Sequence, residues 1–121
     1  MKSLAVVMIF LSGFMHGCDS DVLWTESPYA VVKIDNKISL YYDLGNGNYI
    51  GRVSGGVVSV GSNKRYVVAK KCSLNDCKYY YIERSKDDRY LNSKIAVHGP
   101  LTLSDYVETS IRLDFPSLNE L

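Results

Sequence analysis

The stretch Tyr66-Val67-Val68-Ala69-Lys70-Lys71-Cys72-Ser73-Leu74-Asn75-Asp76-Cys77-Lys78-Tyr79-Tyr80-Tyr81-Ile82-Glu83 decides how the chain folds. Two runs of β-branched and aromatic residues flank Ser73-Leu74-Asn75-Asp76, and Asn-Asp in so short a connection is hairpin-turn chemistry. Working toward the N-terminus, Val57-Val58-Ser59-Val60 leads into Gly61-Ser62-Asn63-Lys64, and Tyr49-Ile50-Gly51-Arg52-Val53 leads into Ser54-Gly55-Gly56. Asn46-Gly47 between two apolar runs is a strong short-range hairpin signal. Before it, Tyr29–Ile34 ends at Asp35-Asn36-Lys37 and is followed by Ile38–Tyr42. Short runs with turn residues every eight to twelve positions or so specify a mostly β domain, a small antiparallel β-sandwich or partly open barrel.

Toward the C-terminus, Arg84-Ser85-Lys86-Asp87-Asp88-Arg89 mixes both signs and reads as a solvated loop. Ile95-Ala96-Val97-His98 reads as a last strand, ended by Gly99-Pro100. Thr102 with Asp105 is a capping box with Asp in place of Glu, Leu103, Tyr106, Val107 and Ile111 fall on one face, and Pro116 is a stop. One C-terminal helix over about residues 102–113, packed across a sheet face, is expected.

With 121 residues, 46% apolar and 22% charged, the chain has material for one small domain. Its formal charge of +1 falls to zero without Lys2, so no polybasic field exists for nucleic acid, which is not expected as a partner. No Walker-type or G-x-G-x-x-G pattern occurs.

At the N-terminus, Lys2 precedes the apolar run Leu4–Leu11, and small or turn-prone residues follow. That is the layout of a secretory signal over residues 1–17, too short to span a bilayer comfortably as a permanent helix. Gly17-Cys18 directly after it resembles the lipobox of bacterial lipoproteins, although Met15 and His16 stand where that family prefers Leu and a small residue. The resemblance implies cleavage before Cys18, lipidation of its sulfur and firm anchoring, each buried CH₂ contributing about 0.8 kcal/mol. Residues 18–28 then read as lipidated Cys and tether, and 29–121 as the folded domain. By the same resemblance, Asp19 slightly favours retention at the inner membrane.

Cys72 and Cys77 are the remaining cysteines, and a disulfide, a metal clip or a redox pair would each use them. A metal would want further ligands, and after the signal the only histidine is His98. A structural disulfide in an oxidising periplasm is the expectation, with no metal or cofactor. His98 has no evident catalytic partners, and no serine lies in a nucleophile elbow, so an enzyme is not expected. Ten tyrosines fall in the domain, in pairs and a triplet that strand alternation must divide between two faces. Tyr79, Tyr80 and Tyr81, with Lys70, Lys71, Lys78 and Arg84, form the expected partner-binding face, since tyrosine is favoured at interface hot spots.

The run Val58–Asn63, then Tyr66–Lys70, then Tyr79–Ile82, then Gly99-Pro100-Leu101-Thr102 resembles small bacterial lipoproteins of uncharacterised domain families. Several such proteins are immunity proteins that neutralise secreted antibacterial effectors, including lipases delivered by type VI secretion. The resemblance implies a membrane-anchored periplasmic protein that binds a cognate toxin and blocks it sterically. The alternative is a structural or assembly lipoprotein that binds an envelope complex or peptidoglycan.

Overall fold

A computed structural model describes residues 20–121. Cys18 and the signal segment lie outside the described residues. The architecture is mostly β, two antiparallel sheets face to face with no closed barrel, which makes it a small sandwich.

The first sheet is a meander of β1 (Ser20–Glu26), β2 (Tyr29–Ile34), β3 (Lys37–Gly45) and β4 (Asn48–Val53). Its hairpins follow from turn residues that tolerate left-handed backbone: Asp35 and Asn36 sit at φ 51° and 64°, Asn46 and Gly47 at 56° and 77°. The second sheet contains β5 (Val57–Ser62), β6 (Tyr66–Ser73), β7 (Asp76–Glu83), β8 (Val97–Leu101) and β9 (Asn119–Glu120), in the order β8-β7-β6-β5-β9. β6 and β7 form the hairpin expected from the deciding stretch, with Cys72 opposite Cys77 and the two joined in a disulfide.

Between the sheets, Tyr29, Val31, Leu40 and Val53 meet Val57, Val60, Val67, Ala69 and Ile82. The outer face of the second sheet is covered as well: Val68 and Tyr79 pack on Tyr106, with Tyr81, Leu101, Phe115 and Leu118 around them. β6 therefore buries Val67 and Ala69 on one side and Val68 on the other, which is why it reads as an unbroken apolar run. At roughly 1.5–3 kcal/mol per fully buried aliphatic side chain, these two cores are the main driving force for folding.

That third layer comes from α2 (Leu103–Leu113) and the chain after it; α1 is the single turn Ser93–Ala96. Thr102 caps α2 by accepting from the Asp105 amide at 3.2 Å, and Asp114 ends it in left-handed conformation. The helix occupies the expected segment but is rotated. Tyr106 is buried, Thr109, Ser110 and Leu113 are half-buried, and Leu103, Val107 and Ile111 face solvent. The hydroxyls of Thr109 and Ser110 are satisfied by the Asp105 and Val107 carbonyls, both at 2.7 Å, so these short side chains can turn toward the sheet while Tyr106 stacks on Tyr79.

Two further segments differ from expectation. Ser20–Glu26, read as tether, is an edge strand paired antiparallel with β2 from Ser20↔Ile34 to Glu26↔Tyr29, so these residues belong to the folded sheet. Its side chains are mostly exposed, and a bulge near Leu23 breaks the alternation that would mark a strand. Ile95 and Ala96 belong to α1, capped by the Asn92 side chain, and the strand starts at Val97 and runs through Gly99-Pro100.

The C-terminal chain crosses β5 so closely that a Cβ at Gly61 would run into the Ser117 carbonyl oxygen. Gly61→Ala is expected to destabilise by about 1–3 kcal/mol in urea denaturation, in the range of overpacked positions. Gly51→Ala, where a Cβ meets nothing within 4 Å, should change stability by less than about 0.5 kcal/mol. Burial first, and the neighbouring Tyr79 second, push the Tyr106 hydroxyl from 10.0 up to about 12. The unfolded chain ionises this tyrosine near pH 10 while the fold keeps it neutral, so its contribution is complete below pH 10 and is lost as pH rises toward 12. Denaturant titrations across that window should show stability falling by on the order of 1 kcal/mol or more from this group, and Tyr106→Phe should flatten the slope.

Candidate functional site

Arg52 stands in the middle of β4, and the ladder makes room for it. Leu40 pairs with Val53 and Tyr41 with Gly51, so Arg52 is the extra residue of a bulge. A bulge re-aims a side chain, and here it turns the guanidinium under the Tyr42 ring, 5.3 Å from its centroid. There it meets Asp87 as a fork, Nε to Oδ2 at 3.0 Å and one terminal nitrogen to Oδ1 at 2.8 Å. The remaining donors reach the Asp88 and Gly51 carbonyls, both at 3.0 Å, and Tyr29 donates its hydroxyl to Asp87 Oδ2 at 2.8 Å. Both charged side chains are 0% exposed, and among the described residues no buried side-chain polar atom lacks a partner. Burial first, then the hydrogen bond to Asp87, raise the Tyr29 hydroxyl well above the usual phenol range, with Arg52 pulling weakly the other way.

This pair holds the connection between β7 and α1. A 3₁₀ turn, Arg84–Lys86, leads into Asp87; then Asp88 Oδ1 accepts from the Tyr90 amide at 2.8 Å, and the Leu91 amide donates to the Asp88 carbonyl at 3.3 Å. Arg84 fastens the other side, donating to the Asn63 carbonyl at 2.9 Å and the Ser27 carbonyl at 3.0 Å with its guanidinium over the Tyr29 ring. At its tip the loop presents Arg89 and Tyr90 to solvent, the latter 86% exposed, beside exposed Ser85, Lys86 and Asp88, and exposed Ile95 follows on α1. The mixed-sign stretch is thus no simple solvated loop: its first aspartate is buried and its tip is fixed in place.

The residues expected to form a partner-binding face are distributed otherwise. Alternation sends Tyr79 and Tyr81 to one side of β7 and Tyr80 to the other, and both sides are covered. Tyr79 stacks on Tyr106 at 4.7 Å, Tyr81 lies between His98 at 4.6 Å and Phe115 at 4.9 Å, and Tyr80 packs on the inter-sheet core. These tyrosines form no exposed strip, because the helix layer, invisible to strand periodicity, consumes their outer face. Arg84 is likewise committed to internal carbonyls. The lysines remain at the surface: Lys70 over the Tyr79 ring, Lys71 donating to the Ser54 carbonyl, and Lys78 3.4 Å from Asp76. Of the ten tyrosines, only Tyr90 is exposed; the others are buried or half-buried.

Sequence reasoning missed Arg52 and the burial of Asp87. The available signal was an arginine inside an apolar strand directly after a glycine, a combination that suits a bulge. Among the described residues there is no cavity of ligand size and no cluster of three or more His, Cys, Asp or Glu. No protein family, characterised protein or solved structure matches the chain.

Asp87→Ala leaves a buried guanidinium without its counter-charge and should cost about 3–5 kcal/mol in denaturant unfolding. Tyr29→Phe, which removes one hydrogen bond and leaves the pair intact, should cost nearer 1–2 kcal/mol.

Proposed function

We propose that this chain is a membrane-anchored periplasmic immunity protein that binds a secreted antibacterial effector and inhibits it by covering its active-site cleft. The observation that carries a binding role is the loop over residues 84–92: its base is held by the buried Arg52–Asp87 pair and its tip displays Arg89 and Tyr90. Arginine and tyrosine are the residue types enriched at interface hot spots, and a tip that is already ordered loses little entropy when a partner docks. A standard interface needs about 800 Å² from each partner, about a tenth of the surface of a small protein and within reach of a domain of this size. The lipobox-like Gly17-Cys18 and the disulfide support an anchored protein in an oxidising compartment, and the resemblance to immunity lipoproteins supplies the partner class.

Affinity capture from native envelope with the full chain, followed by mass spectrometry, tests this reading. One dominant secreted enzyme, bound and inhibited, is the expected outcome. Tyr90→Ala combined with Arg89→Ala should weaken that complex about 30-fold or more while the unfolding midpoint stays unchanged, because both side chains are exposed. Recovery of envelope machinery or cell-wall fragments would instead transfer the assignment to a structural or assembly lipoprotein, and an unchanged affinity would remove this loop as the contact.

A further inference from the structure

The opposite end of the sandwich carries a second set of exposed features. It gathers the Asp35–Asn36 turn, the crossover Ser54-Gly55-Gly56 and the apex of the β6–β7 hairpin. The crossover ties the two sheets there: Gly55 donates its amide to Ser39 Oγ at 2.8 Å, the Cys72 amide donates to the Gly56 carbonyl at 2.9 Å, and the Lys37 side chain lies along Gly55. The hairpin projects past it with Ser73, Leu74, Asn75 and Asp76 all exposed.

Leu74 at this apex is 99% exposed and sits at φ 57°. Turn chemistry places Gly, Asn or Asp at such a position, and a leucine there carries both a backbone strain and an unburied apolar side chain. Behind it, Lys71 and Lys78 are direct cross-strand partners, an arrangement of like charges that does not help a hairpin. The disulfide between Cys72 and Cys77, one register position nearer the apex than these lysines, keeps the finger stiff. Lys37 adds a third charge at this end. Asp35 and Asp76 oppose them, Asp76 lying 3.4 Å from the Lys78 nitrogen, and Asp21 faces Lys33 across β1 and β2, so among the described residues the lysines keep an excess of one.

β1 enters the fold at the same end, since Ser20 pairs with Ile34 beside the Asp35–Asn36 turn. Cys18, two residues earlier, can lie no more than about 8 Å from Ser20. We infer that this end is the membrane-facing end: Leu74 enters the acyl boundary of an anionic bilayer, and Lys37, Lys71 and Lys78 meet its headgroups. An exposed apolar apex with a basic collar matches the two halves of a lipid interface, and a chain anchored at Cys18 would be pinned there by design. This inference rests on the anchored reading proposed above. It also separates the two surfaces, because β7 runs from this apex to the 84–92 loop and leaves Tyr90 pointing away from the membrane.

The test uses the full chain reconstituted in vesicles of phosphatidylethanolamine and phosphatidylglycerol with brominated acyl chains. A single tryptophan is placed by Leu74→Trp in a Trp24→Phe background, and Ile111→Trp on the exposed side of α2 is the control. Emission from position 74 should be quenched about twofold or more and the control left unquenched. Lys71→Glu with Lys78→Glu should relieve the quenching, each lysine being worth about fivefold in partitioning near an anionic surface. Vesicle-bound protein with no quenching at position 74 overturns the orientation while the anchor stands. If Cys18 carries no lipid by mass spectrometry, the anchored reading fails separately, and the same protein mixed with preformed vesicles decides the apex: quenching retains it, none overturns it. Burial of position 74 by a captured effector instead of lipid also overturns it. Should Trp24→Phe disturb folding, Leu74→Glu in the native background gives a second readout, with reduced partitioning expected and unchanged partitioning contrary.

Discussion

The buried pair of Arg52 and Asp87 constrains this fold more than any other contact. Taking two full charges out of water costs several kcal/mol each, and mutual attraction in the interior does little more than offset that cost. The pair is tolerable only because every donor and acceptor is used, through the fork, two carbonyls and the Tyr29 hydroxyl. Its effect is selective. A one-residue slip of β4 would send Arg52 to the other face and leave Asp87 charged and alone, so the register of the first sheet and the path of the 84–92 loop are fixed together. Two segments separated by 35 positions are thereby locked into one arrangement.

The same lock divides the molecule into two ends. At one, Arg84, Asn63 and Ser27 tie three connections beneath the loop that carries Tyr90. At the other, the crossover Ser54-Gly55-Gly56 joins the sheets and the disulfide stiffens the hairpin that carries Leu74. Strands β1 to β7 are six to nine residues long, so the two ends stand roughly 20–30 Å apart. Two packed sheets with a third layer make the body between these ends rigid, which the proposed anchoring at one end and recognition at the other would require.

Much of this was legible in the chain because it depends on local chemistry. Asn46-Gly47 and Asp35-Asn36 sit where left-handed turns are required, Thr102 caps its helix through the Asp105 amide, and Cys72 faces Cys77 across the hairpin. What escaped depends on distant neighbours. Asp87 looks solvated until Arg52 is brought to it, and Ser20–Glu26 looks like tether because an exposed edge strand shows no buried stripe. The apolar face of α2 was assigned by its own periodicity, yet the sheet beneath selected Tyr106 and the small residues beside it. Each miss has one cause: burial was set by an element whose position the local sequence does not encode.

The tyrosines show how such neighbours narrow a functional assignment. A sandwich this small has no deep interior, and an aromatic with a polar tip can fill space while keeping its hydroxyl near water or a partner. Tyr29 packs edge-on to Tyr42, Tyr41 tilts on Tyr49, Tyr66 contacts Tyr81 and Phe115, Tyr79 stacks on Tyr106, and Tyr80 seals the inter-sheet core. Nine tyrosines are thus accounted for by packing. Among the described residues Tyr90 has no ring partner and no core to join, only the Arg89 guanidinium at 6.0 Å and a loop held rigid from below. Tyrosine abundance alone therefore says nothing about binding in this chain; among the described residues Tyr90 is the one tyrosine ring that packing does not use, and the proposed recognition rests on that ring.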